Sequence, residues 1–413
     1  MSRLLATALL FGALALVLPV PPAQANGPIE IGRLDLPDLT SFALSEPFVY
    51  AVQGDEIVVL DVSDPAMPVE HWRFSDPDIR NIAALAIDGT HLYAMGDWWI
   101  QYNPPYPGEH RYSLGAFDVT NPAQLEPRHI RILNDHRKDS RITLTGGHVF
   151  TLGAHDSNPR HVRIHDGRIY KVWQYSTWGG LNVHEYPSDM PPLVSSSSPF
   201  NSPLLGGLEF RVTGEGLVLH GDHAFVNGEH SLMAINASNH TSMTFVGALP
   251  VEFEGIVGAG SSWLLGWTGD RLALIDVSNP SELVEVASLP YQGILDVAVA
   301  GDLAYVLLPG GLRVVDLGRH VIAVQVQGSG LVSPAGNQLL HENGDVTLSF
   351  TPAPGYELIE VLVDGESRGP VTSYGLEGVG ENHEVRVVFK PTSEELARRT
   401  DRYPIGMRSL VLF

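Results

Sequence analysis

The chain has 413 residues, of which 44% are hydrophobic, and it carries a formal net charge of −22. This length and apolar content suit one large folded domain with a smaller one, and they exclude a chain that is disordered throughout. The acidic balance excludes a general affinity for nucleic acids or anionic lipid surfaces, because such partners repel a polyanion. The chain contains no cysteine, which excludes disulfide bonds and lipid attachment through cysteine.

Residues 1–25 have the pattern of a secretory signal peptide. Arg3 supplies the positive charge, Leu4 to Leu18 form an apolar core, and Ala23-Gln24-Ala25 is a small-residue cleavage site. An uncleaved anchor is the alternative, although the prolines after the core argue against a continuous helix. No other apolar run is long enough to be a transmembrane segment. We therefore expect export to the periplasm, the cell surface or the medium, with a mature chain that begins at residue 26.

The mature chain opens with an alternating strand, Ile29 to Leu34, which we expect to pair with the last sheet and cover its exposed edge. From there to residue 318 a hairpin pattern recurs, in which Asp-Gly or Gly-Asp joins two alternating strands. Examples are Asp88-Gly89 and Gly301-Asp302. A period of about 40 residues with about four short strands in each unit predicts an all-β fold, a β-propeller, over residues 26–318.

A second recurring pattern is an apolar strand that ends in Asp and leads into a turn. Its copies are Leu60–Pro65, Phe117–Pro122, Leu274–Pro280 and the shorter Val314–Leu317. This pattern resembles the LVIVD repeat, whose units form β-propellers in secreted and cell-surface proteins of bacteria and archaea. The resemblance covers roughly residues 29–318. It implies a fold, and it brings no shared reaction and no catalytic residues.

The repeated acids Asp61, Asp118 and Asp276 are interpreted as turn-forming residues. An Asp side chain can accept a backbone N–H group two residues further on, and the following Pro ends the strand. A catalytic or calcium-binding role is the alternative. A turn is needed in every repeat, whereas a catalytic group is not.

The segment 141–192 is irregular and leaves the number of blades open. Two hairpin-like starts, at Ile142 and Val162, lie only about twenty residues apart, against the period of about 40 elsewhere. The segment therefore forms either one overlong blade, which gives six blades, or two compact ones, which gives seven. The distance from residue 142 to residue 217 is nearer two periods than one, so seven blades are favoured.

Residues 97–112 interrupt the second unit with an aromatic-rich insertion. Its candidate ligand-binding residues are Trp98, Trp99, Tyr102, Tyr106, His110 and Tyr112. Aromatic side chains on a loop stiffened by Pro and Gly are common in carbohydrate and peptide recognition. The alternative, packing of these side chains against the propeller flank, is the stronger interpretation. No other stretch of the chain is a better candidate for a binding site.

Histidines are concentrated between residues 148 and 184. His161 and His165 would share one face of a strand, and His155 is near them, so a zinc or calcium site is conceivable. These histidines fall in ordinary strand and turn positions, and no tight two-residue ligand spacing occurs. We therefore expect no metal and no other cofactor.

The pattern changes at residue 319. Residues 322–390, with Pro352-Ala353-Pro354-Gly355-Tyr356 and Val363-Asp364-Gly365, resemble the divergent B-repeat of internalin-type bacterial surface proteins. This resemblance implies a small all-β module over 319–390, either a sandwich or a grasp-like fold. In the remaining tail, 391–413, a short helix is expected at 393–402, because Glu394 and Glu395 suit a helix N-terminus.

Three functions are compatible with the sequence, which contains no nucleophile elbow, phosphate loop or dinucleotide fingerprint. The favoured one is an exported non-catalytic binding or adhesion protein, with a protein or carbohydrate ligand at the cell surface. The second is a propeller hydrolase or lyase for glycans or lactones, with a site at the channel mouth built from several blades. The third is a structural protein of a surface layer or extracellular matrix.

Overall fold

The computed structural model describes residues 27–401 apart from short gaps. These gaps are residues 77–78, 89, 101–108, 123–124, 133–140, 146–147, 153–158, 166–167, 176–177, 186–192, 196–203, 211 and 229. The expected signal peptide and the end of the tail, residues 402–413, lie outside the described residues. Almost all the described secondary structure is β-strand, as expected for the all-β class.

Two antiparallel sheets of four strands follow the first strand, β1 (Ile29–Asp35). The first consists of β2 (Leu39–Ser45), β3 (Phe48–Gln53), β4 (Glu56–Asp61) and β5 (Val69–Phe74). The second consists of β6 (Ile79–Asp88), β7 (His91–Ile100), β8 (Glu109–Asp118) and β9 (Glu126–Ile132). The middle strands are apolar at successive positions because both of their faces are covered, as the four consecutive buried residues of β4 show.

The next two sheets are interleaved in the chain. The third sheet contains β10 (Arg141–Thr145) and β11 (His148–Leu152), and the fourth begins with β12 (Pro159–His165), β13 (Arg168–Tyr175) and β14 (Trp178–Glu185). The chain then returns to the third sheet, where β15 (Leu193–Ser195) pairs in parallel with β11. Finally β16 (Leu204–Phe210) pairs with β14 and completes the fourth sheet. This exchange explains why no regular repeat is visible in the segment.

The regular order resumes with two sheets of four strands. They are joined at one point, where a residue of one sheet pairs in parallel with a residue of the other. The fifth consists of β17 (Val212–His220), β18 (His223–Gly228), β19 (Ser231–Asn236) and β20 (Thr244–Leu249), with a short 3-10 helix at His240–Ser242. The sixth consists of β21 (Gly255–Gly258), β22 (Trp263–Trp267), β23 (Arg271–Asp276) and β24 (Val284–Pro290). Glu215 of β17 pairs with Gly255 of β21.

The last of these sheets is completed by the first strand of the chain. It contains β25 (Asp296–Ala300), β26 (Leu303–Leu308) and β27 (Gly311–Asp316), and β1 pairs antiparallel with β27 from Ile29↔Asp316 to Asp35↔Gly311. This confirms the expectation that the N-terminal strand covers the edge of the last sheet. Gly32 makes the pairing compatible with the neighbouring first sheet, since a Cβ there would overlap Pro65 O.

Hydrophobic clusters between neighbouring sheets form the core. Phe225 of the fifth sheet packs with Leu264 of the sixth, and Leu265 of the sixth with Val306 of the seventh. A further cluster joins Tyr305 in the last sheet to Val49 in the first. The sheets therefore pack in succession and the last meets the first, which is a propeller-like arrangement.

Tyrosine–glutamate hydrogen bonds join the seventh sheet to both of its neighbours, the first sheet and the sixth. The Tyr305 hydroxyl donates to Glu46 Oε1 at 2.9 Å, and the Tyr291 hydroxyl donates to Glu30 Oε2 at 2.7 Å. Burial raises the pKa of Tyr305, and the bond to Glu46 raises it further. The pKa of Tyr291 is raised for the same two reasons. Both phenols therefore stay protonated as donors in the folded chain.

Two further sheets form a C-terminal module. Its strands are β28 (His320–Gln327), β29 (Gly330–Ser333), β30 (Gln338–Leu340), β31 (Gly344–Pro352), β32 (Tyr356–Val363), β33 (Glu366–Gly369), β34 (Ser373–Val379) and β35 (His383–Pro391). One sheet has the order β30-β28-β35-β32-β33 and the other β29-β31-β34. The strict alternation of β31 buries Val346, Leu348 and Phe350 in the core between the sheets. Helix α1 (Ser393–Asp401) follows, where a helix was predicted.

The C-terminal module is docked on the sixth and seventh sheets. Val321 and Leu339 pack against the hydrophobic cluster that these two sheets share. The ring of His341 lies between Gly27 O, at 3.0 Å from Nε2, and the Asp316 carboxylate, at 3.2 Å from Nδ1. The segment that leads into β1, the last repeat turn and the module therefore meet at one place. In the described part of the chain no helix is both long and apolar enough to cross a membrane.

Candidate recognition site

The repeated acidic positions lie at equivalent turns, where the third strand of a sheet ends. The side chains of these residues each accept the backbone N–H two residues further on, at distances between 2.9 and 3.0 Å. The residues are Asp61, Asp118, Asn236, Asp276 and Asp316. This geometry confirms the turn-forming interpretation. The sequence analysis missed Asn236, because the fifth sheet has Asn in place of the repeated Asp.

The aromatic insertion extends the hairpin between the two middle strands of the second sheet, β7 and β8. This hairpin is at the end of the strands opposite the Asp118 turn. Strands β7 and β8 are paired over ten residues, from His91↔Asp118 to Ile100↔Glu109. The equivalent hairpin is paired over six residues in the first and seventh sheets. Four extra residue pairs extend a hairpin by about 14 Å. Residues 97–100 and 109–112 of the insertion therefore continue the sheet outward as paired strands.

The structure places four of the six predicted site residues on this hairpin. The register sets Trp99 opposite His110, Trp98 opposite Arg111, and Tyr112 opposite Asp97. The Trp99 side chain is 38% exposed, which is high for a residue of this size. The other two residues, Tyr102 and Tyr106, lie outside the described residues.

Polar contacts and a close backbone approach fix the base of the hairpin. Asn81 Nδ2 donates to Asp97 Oδ2 at 2.8 Å, while the Asn81 N–H donates to Asp55 Oδ1 in the neighbouring first sheet at 2.7 Å. Asn81 has φ of 49°, a conformation that Asn tolerates better than most residues. A Cβ at Gly96 would lie 2.9 Å from Arg80 O. The hairpin therefore rises from an anchored base.

A second long hairpin, which the sequence analysis missed, belongs to the fourth sheet. Strands β13 and β14 are paired over eight residues, ending at Tyr175↔Trp178. The last two pairs, Gln174↔Gly179 and Tyr175↔Trp178, extend beyond the usual six, and Trp173 is in the sixth pair, opposite Gly180. The two hairpins join equivalent strands of their sheets, so they lie on the same side of the arrangement. The Trp-Gln-Tyr-Ser-Thr-Trp run could have indicated it, but the irregular repeat concealed the hairpin.

The seven tryptophans are divided between hydrophobic clusters and the strands of the two long hairpins. Of the seven tryptophans, Trp263 and Trp267 are buried in a hydrophobic cluster and Trp72 packs against another. The remaining four are Trp98, Trp99, Trp173 and Trp178, all on the two long hairpins. Large aromatics concentrated on projecting hairpins are typical of recognition surfaces.

The first strands of three sheets border an open apolar groove of about 260 Å³. Its wall comes from β2, β6 and β25 and includes Phe42, Leu44, Ile87 and Val299. None of the residues that line it is an acid, a base or a nucleophile. This groove offers apolar contacts and no groups for acid–base chemistry.

The structure places the candidate metal ligands only in part. His161 and His165 lie on β12, opposite Val172 and Arg168. Four residues of extended strand separate them by about 13 Å between Cα atoms. His155 lies outside the described residues. Among the residues that the structure describes, no group of three or more His, Asp or Glu side chains could hold a metal ion.

Comparison with known proteins supports the repeat assignment. The LVIVD repeat model matches residues 38–76, 214–249, 267–289 and 295–318, so the chain contains LVIVD repeats. These segments fall in the first, fifth, sixth and seventh sheets, while the Phe117–Pro122 copy is not matched. No curated protein matches the chain.

Two solved structures are similar to the chain at 10% identity over 70% of its length. One is the computationally designed Ika8 protein, 99% of which is covered, with a TM-score of 0.45. The other is PorZ, an essential bacterial surface component of the type-IX secretion system of Porphyromonas gingivalis, 38% of which is covered, with a TM-score of 0.43. Neither likeness is strong enough to carry an argument.

Proposed function

We propose that the chain is an exported, non-catalytic binding protein whose repeat scaffold presents recognition hairpins. The β7–β8 hairpin carries this proposal, because ten-residue strands hold the half-exposed Trp99 beyond the level at which neighbouring hairpins end. A large aromatic side chain on a paired, anchored hairpin offers contact area with little loss of conformational entropy on binding.

The scaffold is proposed to be a seven-bladed propeller. The supporting observation is that the strands from β1 to β27 make six units of four strands and one of three, if the eight-stranded sheet is divided at its parallel pair. The C-terminal module is proposed to be a B-repeat-like unit, supported by its two packed sheets and its sequence pattern. Export is proposed from the signal-peptide pattern of residues 1–25.

The ligand is proposed to be a carbohydrate or a protein at the cell surface. Aromatic side chains stack on the apolar faces of sugars and on peptide side chains. The net charge of −22 disfavours polyanionic ligands. The apolar lining of the groove beside β2, β6 and β25 gives no support to catalysis at that place.

A thermal-shift screen of the mature chain, residues 26–413, against metals, oligosaccharides and cell-wall fragments tests the proposal. A ligand that binds only the folded chain raises the melting temperature. The shift caused by a ligand found in this screen is then measured for two variants. One is Trp99→Ala, and the other is a shortened variant in which a two-residue Asn-Gly turn joins Asp97 to Tyr112. Phe245→Ala is the matched control, since Phe245 is 49% exposed and lies on β20, away from the hairpin.

We expect the shift to be lost in the shortened variant and reduced in Trp99→Ala, with the control unchanged. Undiminished binding by the shortened variant would refute the hairpin as the site. A large loss of stability on shortening would instead assign the aromatic residues a packing role. In that case the affinity of Trp99→Ala, measured on a folded protein, decides the question.

A further inference from the structure

The outer edge of strand β34 in the C-terminal module is open. The order β29-β31-β34 places β34 at the end of its sheet, and none of the described strands pairs with its outer side. The other edge strands are shorter, with three residues in β30 and four each in β29 and β33, against seven in β34. Strand β30 is also next to the docked face of the module, where Leu339 packs on the propeller-like region. Open edges of this length are places where another extended chain can pair.

The hydrogen-bond pattern shows which backbone groups of β34 face outward. The Phe350 N–H donates to Thr372 O at 2.8 Å, and these two residues lie opposite each other at the start of the β31–β34 pairing. Hydrogen-bonded and non-hydrogen-bonded pairs alternate along antiparallel strands. Ser373 and Gly375 therefore lie at non-hydrogen-bonded positions, and their N–H and C=O groups point away from β31.

A groove of about 520 Å³ runs beside this edge. Consecutive residues from Tyr374 to Glu381 line it, with His383 at its end. A second backbone can approach closely because three lining residues have no side chain, namely Gly375, Gly378 and Gly380. A Cβ added at Gly378 would meet no atom within 4 Å, so the space there is open.

The charge of the groove is negative at the end away from Tyr374. Glu377 and Glu381 line it and are exposed. Asp345 lies beside it, where its Oδ1 accepts the Gly378 N–H at 2.7 Å. The imidazole of His383 is hydrogen-bonded to Asp364, with 2.7 Å between Nδ1 and Oδ2. At the Tyr374 end, Arg368 stacks on the tyrosine ring. Basic side chains are therefore favoured beside Glu377 and Glu381.

We propose that the outer edge of β34 binds an extended, basic peptide segment of another protein by strand addition. The backbone of the peptide would pair with the outward N–H and C=O groups of Ser373 and Gly375. Its Lys or Arg side chains would lie next to Glu377 and Glu381, which gives the site its preference for basic segments. This site lies in the C-terminal module and is independent of the aromatic hairpin.

The probe is a dye-labelled nine-residue peptide of alternating lysine and valine, and its binding to residues 26–413 is followed by fluorescence anisotropy. A second peptide has methyl groups on the backbone nitrogens of alternate residues, which removes the donors needed for pairing on one edge. Gly375→Pro removes an outward N–H without removing a bond to β31, and Glu377→Lys reverses a charge. Glu357→Lys is the matched control, because Glu357 is exposed on β32, a strand paired on both sides.

We expect Gly375→Pro and backbone methylation each to raise the Kd about tenfold or more. Glu377→Lys should also weaken binding, whereas Glu357→Lys and the shortened β7–β8 hairpin should not. Circular dichroism and the melting temperature show whether each variant is folded. If Gly375→Pro does not fold, the methylated peptide tests the pairing on the unaltered protein.

Three results would overturn the proposal. The first is equal affinity for the methylated and unmethylated peptides, which would show a charge effect without strand pairing. The second is a dimer of the chain that Gly375→Pro converts to a monomer, with no peptide binding, which would assign the edge to a second copy. The third is peptide binding only after residues 402–413 are removed, which would assign the edge to the chain's own terminal segment.

Discussion

Asp276 and Asn337 join the repeat region to the C-terminal module through one carboxylate. Asp276 Oδ1 accepts the N–H of Ser278 within its own turn at 2.9 Å, and Oδ2 accepts the N–H of Asn337 at 2.8 Å. The Asn337 side chain returns a bond to Ser278 Oγ at 2.9 Å. Asp276 is 5% exposed, so the docked module covers a turn that is exposed at Asp61. The residue that shapes a repeat turn is thus also a docking point.

Replacing Asp276 by Ala should destabilise the protein more than replacing Asp61 by Ala. Each change removes a turn bond, but Asp276→Ala also leaves the partly buried Asn337 N–H without its charged acceptor, a further loss of about 1–2 kcal/mol. Urea unfolding and limited proteolysis near residues 317–320 would measure the effect. Equal losses in the two variants would show that the docking bond contributes nothing.

Replacing Gly32 by Ala should weaken the junction between the last and first sheets. The added methyl group would overlap the carbonyl oxygen of Pro65, and β1 cannot move away without disturbing its pairing with β27. We expect a loss of about 1–3 kcal/mol, as for other overpacked sites. Gly310→Ala is the control, because a Cβ there meets no atom within 4 Å. Matching urea midpoints for the two variants would contradict this account.

Alkaline pH should destabilise the protein partly through Tyr305. Burial and the bond to Glu46 raise its pKa in the folded chain, whereas an unfolded tyrosine has a pKa of about 10. The stability that it contributes is therefore complete below that pH and is lost as the pH rises above it. Tyr305→Phe should lower the urea midpoint at pH 8 and then lose less between pH 9 and pH 11 than the parent. If the urea midpoint fell equally steeply with pH in Tyr305→Phe and in the parent, this contribution of Tyr305 would be excluded.

Acid should destabilise the C-terminal module through Asp364. The Glu384 backbone N–H, followed by His383, holds the pKa of Asp364 below its ordinary range. This contribution is complete above the ordinary Asp value of about 3.9 and is lost as the pH falls below it. Asp364→Asn should be less stable than the parent at pH 6 and converge with it towards pH 2.

Glu366→Gln controls for the loss of a surface charge, since the Glu366 side chain is 74% exposed. Melting temperatures between pH 2 and pH 7 would show the convergence. If the melting temperatures of Asp364→Asn and the parent differed by the same amount at every pH in this range, protonation of Asp364 would not contribute to unfolding in acid.

The sequence predicted the parts of the fold that depend on local chemistry. The Asp and Asn turns and the two-residue hairpins arise from residues that bond to their own neighbours, so a short motif identifies them. The pairing of β1 with β27 was predictable for another reason: an alternating strand before the first repeat has one open edge available to it.

The features that were missed depend on contacts between distant residues. The insertion of β15 into the third sheet joins Val149 to Leu193 across the whole fourth-sheet hairpin, and no local pattern marks that pairing. The docking of Asn337 on Asp276 depends on how the module and the sixth sheet face each other. The Trp173–Trp178 hairpin was hidden because the interleaved sheets interrupt the period that revealed the others.

The position of β1 has a consequence for synthesis of the chain. This strand is the first of the described strands to leave the ribosome, yet its partner β27 follows almost the whole repeat region. Because the chain is synthesised from its N-terminus, β1 must remain without its partner β27 until the ribosome has released the last repeat. The seventh sheet therefore distinguishes complete chains from truncated ones. A chain that ends before Gly311 lacks the partner of β1, so this strand stays exposed to proteases and chaperones.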